Sequence, residues 1–290
     1  MVSLLKFADS IYDYESSNFV IFGVPFDGTT SYRGGARFAP NVIREVSVNL
    51  ESLVYENGFD MRDAKIHDMG NLDEHGRPED AIDEVYFYVS KILDDNKIPI
   101  MLGGEHSITV GVAKAIQKKD YGILFIDAHT DFRDEYLGMK YSHACVARRS
   151  YEILGKDRIA TIGIRSVSPE EYNDEEFKNY FKISSEYVYK NGIDKSIELL
   201  ENYFGNKKIY LSIDMDGIDP SFAMGVATPE PYGLSIWDVR KIIEKFSDRI
   251  IGADIVEISP PFDNGNTSML AAKLVQIIIS NIFIKSISNK

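Results

Sequence analysis

Short runs of apolar, largely β-branched residues alternate with helical patterns along the whole chain, and several of these runs are apolar at nearly every position. Phe19 to Val24, Ile98 to Leu102, Ile123 to Asp127, Ile209 to Asp214 and Ile250 to Ile258 are of this kind. A strand with one face in water alternates apolar and polar residues, because successive side chains point to opposite faces. A strand apolar on both faces needs cover on both, as in a parallel sheet sandwiched between helices. Ala64 to His67, Arg158 to Gly163 and Phe181 to Ile183 read as further strands. Helical spacing is clearest in Pro78 to Asp94, Thr109 to Lys118, Pro169 to Tyr180, Asp194 to Phe204, Ser235 to Phe246 and Ser268 to Ile284. With no repeat and no linker rich in Pro, Gly or Ser, the rhythm predicts one doubly wound α/β domain over residues 1–290. A closed (β/α)₈ barrel is the competitor. In both folds ligands collect at the carboxyl ends of the strands.

Composition narrows the partners. A net charge of −13 argues against nucleic acid or an anionic membrane surface and suits a small cation. The one cysteine, Cys145, permits no intrachain disulfide, so a reducing cytoplasm is the expected compartment. The segment from Met1 to Phe7 lacks the basic and apolar regions of a signal peptide. No uninterrupted apolar run approaches the roughly 18–20 residues of a membrane span. The longest apolar patch, Leu274 to Ile284, is broken by Gln276, Ser280 and Asn281.

Three of the strands end in metal-binding side chains. Ile123 to Ile126 runs into Asp127-Ala128-His129-Thr130-Asp131, Ile209 to Ile213 into Asp214-Met215-Asp216, and Ile98 to Leu102 into Gly103-Gly104-Glu105-His106. In extended chain alternate side chains share a face, so Asp127, His129 and Asp131 can converge, as can Asp214 and Asp216. Taken singly, an aspartate after a strand is a cap or turn former. Five acids and imidazoles at two such spacings, each directly after an apolar strand, point instead to metal. Asp127, Asp131, Asp214 and Asp216 would balance the charge of two divalent cations, and His106 and His129 would each cap one. Oxygen-rich donors with a few imidazoles and no thiolate favour ions such as Mn²⁺. Two such ions roughly 3.5–4 Å apart can share a water and lower its pKa, as in two-metal hydrolases.

Other residues admit two readings. His143 is either a solvated loop histidine or a proton carrier beside the metals. Glu257, at the end of Ala253-Asp254-Ile255-Val256, pairs either with a cationic substrate or within the protein. His67 and His75 lie in turn-like, charged surroundings and read as non-catalytic, and Cys145 as a buried structural thiol. Gly23 to Thr30 matches neither glycine-rich nucleotide motif, and Asp214-Met215-Asp216-Gly217 is out of register for a calcium loop.

Gly103-Gly104-Glu105-His106-Ser107, Asp127-Ala128-His129-Thr130-Asp131, Ser212 to Pro220 and Glu257-Ile258-Ser259-Pro260 resemble, in order, the signature segments of the arginase/agmatinase ureohydrolase family. Gly23 to Glu45 resembles that family's amino-terminal region, so the likeness covers nearly the whole chain. The resemblance implies a three-layer α/β/α fold with a mostly parallel, about eight-stranded sheet. It also implies two Mn²⁺ ions and hydrolysis of a guanidino group to release urea. On it, the metal ligands are His106, Asp127, His129, Asp131, Asp214 and Asp216. The expected catalytic residues are His143, Glu257 and Asp131. Glu257, His143 and Thr228, which precedes Pro229, are the expected substrate contacts. A small cationic guanidino substrate and a homo-oligomer, trimer or hexamer, complete the expectation, with no nucleic-acid or membrane partner.

The stretch from Phe132 to His143 is short and carries acids, and looks like the agmatinase branch: acids there would repel a carboxylate and tolerate a doubly cationic amine. Gly225-Val226-Ala227-Thr228-Pro229 and Tyr232-Gly233-Leu234 depart from the family pattern, and bulk at Val226, Ala227 and Tyr232 is expected to reshape the far end of the pocket. Agmatine leads, with N1-aminopropylagmatine and guanidinobutyrate as alternatives. An Asp-x-Asp phosphatase built on Asp214 and Asp216 leaves His106, Asp127, His129 and Asp131 without a task. A non-catalytic polyamine-binding protein leaves the intact ligand set unexplained.

Overall fold

The computed structural model describes residues 5–288; residues 1–4, and with them most of the stretch read for a leader, lie outside the described residues. The strands in chain order are β1 (Phe19–Gly23), β2 (Leu53–Val54), β3 (Phe59–Asp60), β4 (Ile66–Asn71), β5 (Ile98–Leu102), β6 (Tyr121–Ile126), β7 (Ile159–Ile164), β8 (Phe181–Ser184), β9 (Lys208–Asp214) and β10 (Ile250–Val256). The helices are α1 (Ala39–Ser47), α2 (Pro78–Asp94), α3 (Thr109–Ile116), α4 (Val146–Leu154), α5 (Pro169–Asn173), α6 (Glu175–Asn179), α7 (Ser185–Asn191), α8 (Ile193–Phe204), α9 (Ile236–Phe246) and α10 (Asn266–Ser288). Eight strands form one sheet in the order β4-β1-β5-β10-β9-β6-β7-β8, with every neighbouring pair parallel. β2 and β3 make a separate antiparallel pair.

The fully apolar strands lie in the middle of this sheet, and their two faces feed two cores. Phe19, Ile21, Leu124, Ile126, Leu211 and Ile213 point into a core shared with α1, α8, α9 and α10. Val20, Phe22, Ile123, Phe125 and Tyr210 point into the other, shared with α2, α3 and α4. Helices on both faces of an open sheet give the three-layer α/β/α arrangement, and the barrel does not form. β4 and β8 each pair on one side only, and both carry polar residues, as edge strands in contact with water do.

The chain order decides what the sheet presents. After β4 the chain passes over β1 to add β5; after β8 it returns over β7 and β6 to add β9; β10 then fills the gap between β5 and β9. The carboxyl ends of β5, β10, β9 and β6 therefore stand side by side at the centre, where connections reverse direction.

Local chemistry accounts for the differences from expectation. The predicted helix Pro169 to Tyr180 is two helices, because Asp174 is extended (φ −71°, ψ 131°) and its carboxylate caps the second by accepting from Glu176 and Phe177 N–H. Helices α1, α4 and α7 and the β2–β3 pair were not foreseen. Asn266–Ile287 in α10 is long and apolar enough to span a membrane when polar interruptions are allowed, so the expectation drawn from uninterrupted runs missed it. Sixty-seven per cent of that stretch is buried in the protein, where a helix apolar on all sides belongs.

One buried ion pair ties the β4 edge to α1. Arg44 Nε and Nη2 reach Asp68 Oδ2 and Oδ1 at 2.8 and 2.9 Å, and Nη1 reaches Asn71 Oδ1 at 2.5 Å. Asp68 also accepts from Phe7 N–H at 2.7 Å. Both charges are almost wholly excluded from solvent. Arg44→Met strands the Asp68 carboxylate and should cost about 3–5 kcal/mol of stability. A urea midpoint equal to wild type would show that the pair is dispensable.

Candidate metal centre

The four adjacent strand ends bring the predicted cluster together. His106 opens a 3₁₀ turn after β5, Asp127 follows β6, Asp214 ends β9 and Glu257 follows β10. The β5 end passes hard against the segment after β1: a Cβ on Gly104 would lie 1.8 Å from the Phe26 carbonyl oxygen, so only glycine fits there. Glu257 holds the left-handed conformation (φ 64°), uncommon for a residue with a side chain. Hydrogen bonds on both sides maintain it, Glu257 N–H to Gly104 O at 2.9 Å and Ala227 N–H to Glu257 O at 3.1 Å. Asp131 is likewise left-handed, at φ 46°.

His106 is fully buried, and its Nδ1 lies 3.2 Å from Asp127 Oδ2, 3.2 Å from Asp214 Oδ2 and 3.4 Å from Asp131 Oδ2. That nitrogen has no hydrogen-bond partner. The other ring nitrogen explains why. Nε2 is 3.0 Å from Ser212 Oγ, whose hydroxyl donates to Asp254 Oδ1 at 2.6 Å, while Thr109 Oγ1 donates to Asp254 Oδ2 at 3.0 Å. With the serine proton committed to Asp254, Nε2 must carry the ring hydrogen, and the Nδ1 lone pair faces three carboxylates. This arrangement suits a cation and nothing else present.

A second group adjoins the first. His129 Nδ1 is 2.9 Å from Asp216 Oδ2 and 3.8 Å from Asp127 Oδ1. Asp127, His129 and Asp216 could hold one ion, and His106, Asp127 and Asp214 another, with Asp127 common to both. Asp131 joins through its contact with His106. Asp127 accepts from His129 N–H at 2.6 Å, Asp214 from Asp216 N–H at 2.9 Å and Asp216 from Ala128 N–H at 3.2 Å, so backbone donors aim the carboxylates. The set is all oxygen and imidazole nitrogen, which fits hard or borderline divalent ions.

Above the cluster lies a cavity of ≈ 280 Å³, lined by His129, Asp131, His143, Asp214, Asp216, Thr228 and Glu257 among others. His106 and Asp127 lie beneath its floor. Glu257 Oε1 accepts from His106 N–H at 2.6 Å. Burial, and then the charge of Glu105, push the Glu257 carboxyl well above its ordinary range. A cation in the cavity would reverse that preference. His143 meets Thr29 and Ser31 and stands edge-on to Tyr136. His67 and His75 are remote from the cluster: the first contacts the Tyr12 carbonyl, the second Glu84. Cys145 is buried, and its thiol is pushed up to about 12 by burial.

Two specificity expectations need correction. The acids of the 132–143 stretch do not face the cavity: Asp134 pairs with Arg149 at 2.8 Å, and Arg133 and Tyr136 line the wall instead. Val226 and Ala227 are buried and absent from the wall, while Tyr232 is 88% exposed and borders a different surface groove, so none of the three lines this cavity. The wall carries two acids that sequence reasoning missed. Glu171 is consumed by Thr130 Oγ1 at 2.5 Å, Phe132 N–H at 2.8 Å and Ser168 N–H at 3.0 Å. Glu230 makes no side-chain hydrogen bond, its nearest charged neighbour being His129 Nε2 at 3.6 Å. Its segment is clamped from behind by Arg165, which donates to the carbonyls of Glu230, Pro231, Gly217 and Asp216. Ser212 and Asp254 were also missed, although a polar residue inside a central apolar strand was the available signal.

Crowding acids in a buried site without a cation raises the titration of two of them. Burial, then the charge of Asp131, pushes Asp127 up to about 7, and burial, then Asp216, pushes Asp214 well above its usual range. The metal-free folded state thus holds protons that the unfolded chain has already lost above pH 4. Its stability should fall as pH rises from about 4 through 7. Added Mn²⁺ should raise the melting temperature more at pH 8 than at pH 5.5, because it replaces those protons. A pH-independent metal effect would contradict this.

Comparison with known proteins agrees with the geometry. The arginase family model matches residues 17–280. The agmatinase of Pyrococcus horikoshii is 36% identical over 92% of this chain and 93% of its own. The N(1)-aminopropylagmatine ureohydrolase of Thermococcus kodakarensis is 37% identical over 93% of each. The crystal structure of the agmatine ureohydrolase of Thermoplasma volcanium superposes with a TM-score of 0.96 at 50% identity, covering 100% of this chain and 98% of that one. With the family model matching residues 17–280 and relatives above 30% identity over nearly its full length, the chain belongs to the arginase family.

Proposed function

We propose that this chain hydrolyses agmatine to putrescine and urea at a centre of two divalent cations, Mn²⁺ in the first instance. It is a hydrolase of C–N bonds in linear amidines, as its family membership establishes. The observation that carries the metal reading is the buried, unpartnered His106 Nδ1 facing three carboxylates on the floor of the cavity. His106, Asp127 and Asp214, with Asp131 beside His106, would hold one ion, and Asp127, His129 and Asp216 the other. When bound, the pair supplies an activated water near neutral pH.

The remaining work falls to the protein. Glu257 has one oxygen held by His106 N–H and the other free, and it receives the guanidinium through charge-assisted hydrogen bonds. The guanidinium carbon is thereby held over the floor, and Thr228 limits its movement from the wall. Asp131, at 8% exposure the most accessible of the four aspartates, accepts the proton of the attacking water. As the tetrahedral carbon collapses, the bond to the alkylamine nitrogen breaks, its electron pair goes to that nitrogen, and His143 supplies the proton it needs. The products are urea and the free amine.

Glu230 favours a cationic tail. It is the cavity carboxylate outside the metal cluster and Glu257 that has no hydrogen bond, whereas Arg133 is occupied, over the Tyr136 ring at 4.9 Å and 3.9 Å from both Glu170 and Glu171. A cytoplasmic homo-oligomer, trimer or hexamer, accompanies this reading. The lone Cys145 supports the compartment, and the largely apolar groove beside α7 and α8, with Tyr189 and Tyr232 exposed at its rim, supports assembly.

Urea release from agmatine, arginine, guanidinobutyrate, aminopropylagmatine and butylguanidine by Mn²⁺-loaded protein tests the substrate. Agmatine should exceed arginine and guanidinobutyrate by orders of magnitude in kcat/KM. Faster turnover of aminopropylagmatine would move the assignment to the longer amine, the substrate in the Thermococcus relative's name. Glu230→Gln should raise KM for agmatine about tenfold and leave butylguanidine unchanged, since only agmatine has a distal charge. Glu257→Gln should lower kcat/KM for every guanidine by about 10²-fold with metal content intact. Wild-type kcat/KM in that variant would remove Glu257 from the site.

A further inference from the structure

The loop after β1 reaches the cavity through a chain of hydrogen bonds that no part of the metal reading requires. Glu105 is fully buried beside the ligand His106, yet its carboxylate faces away from the cluster. Its oxygens accept from Thr29 N–H at 2.7 Å, from Thr29 Oγ1 at 2.6 Å and from Ser107 Oγ at 2.6 Å. Thr29 is itself 2% exposed. Its hydroxyl then meets His143 twice, accepting from the backbone N–H at 3.0 Å and lying 3.1 Å from ring Nδ1. Ser142 Oγ is a longer neighbour of the same nitrogen at 3.3 Å, and Ser31 Oγ lies 3.5 Å from Nε2 on the cavity side.

A hydroxyl has one hydrogen to give, and here a buried carboxylate takes it. The Thr29 oxygen can therefore only accept from His143, so Nδ1 must be protonated, and in the neutral imidazole the lone pair belongs to Nε2. We infer that Thr29, wired to Glu105, is the positioning residue that fixes the tautomer and ring orientation of His143: Nδ1 keeps its hydrogen toward Thr29, and Nε2, facing the cavity, takes up the proton that Asp131 received from the attacking water and passes it to the substrate's departing nitrogen. The logic is that of the aspartate in a serine-protease triad, with a neutral hydroxyl interposed between carboxylate and imidazole. The arrangement also explains why a loop more than seventy sequence positions from the nearest strand end in the cluster is bound so tightly: Thr29 clamps the loop after β1 to His143.

The inference rests on the ureohydrolase reading with His143 as proton donor, and the experiment separates the two. Thr29→Val keeps shape and removes the acceptor. In Mn²⁺-loaded protein it should lower kcat for agmatine by about tenfold or more, with KM within about twofold and metal content unchanged. Thr29→Ser should recover most of the loss. Thr29→Val with His143→Asn should be no slower than His143→Asn alone, because Thr29 acts only through that ring. Should the valine variant fold poorly, Thr29→Cys provides the same test with a weak acceptor in place of the hydroxyl. Wild-type kcat in Thr29→Val or Thr29→Cys, or full additivity with His143→Asn, would overturn the inference while leaving the function standing. Urea release that is absent in wild type on every guanidine would overturn the function and this inference together.

Discussion

Four aspartates buried within reach of one another are a configuration that a folded chain does not tolerate by itself. Each carboxylate loses its hydration on burial and gains like-charged neighbours that two imidazoles do not balance. Asp127, Asp131, Asp214 and Asp216 are nonetheless held together, each at 8% exposure or less, and backbone donors aim Asp127, Asp214 and Asp216 at common points. Divalent cations resolve the conflict, since two of them match the charge and their ligand preferences match the donors. The raised pKa of Asp127 and the idle lone pair of His106 are the marks of a site whose counter-charge comes from outside the polypeptide.

The rest of the architecture serves that convergence. Parallel strands deliver all their carboxyl ends to one side, and the order of connections puts β5, β10, β9 and β6 next to one another there. Helices on both faces keep the strand bodies dry, so the only polar residues admitted inside them are those with a task. Ser212 on β9 and Asp254 on β10 form such a pair, bridging two strands to fix one nitrogen of His106. The His106 ring is fixed through Ser212 and Asp254, the Glu257 carboxylate by the His106 backbone N–H, and the His143 ring faces Thr29, which is bound to Glu105.

On the proposed reading, charge on that wall decides which guanidine fits. The family resemblance is broad enough to include carboxylate-bearing substrates, and the Arg133 guanidinium stands on the wall. Arg133 is occupied by an aromatic ring and two glutamates, however, whereas Glu230 makes no side-chain hydrogen bond and meets only His129 Nε2 at 3.6 Å, on a segment locked by Arg165. The difference between a cation-tolerant and an anion-tolerant pocket thus rests on which charged groups have already found partners within the protein.

Much of this was legible from residue order alone. Doubly apolar strands implied a covered parallel sheet, and acids and imidazoles directly after those strands implied a metal cluster, because both inferences depend only on neighbours in sequence. The same spacing named His106, Asp127, His129, Asp131, Asp214 and Asp216. Legibility ended where partners are distant in sequence. Whether Asp134 or Arg133 faces the substrate depends on Arg149 fifteen or so residues on, whether Glu171 is free depends on Thr130, and the role of Thr29 depends on Glu105 and His143. The open sheet over the barrel was likewise settled by the unpaired edges of β4 and β8. Sequence by itself determined which side chains are chemically able to act; tertiary structure alone decided which of them are already satisfied, because hydrogen bonding and burial are set by contacts across the fold.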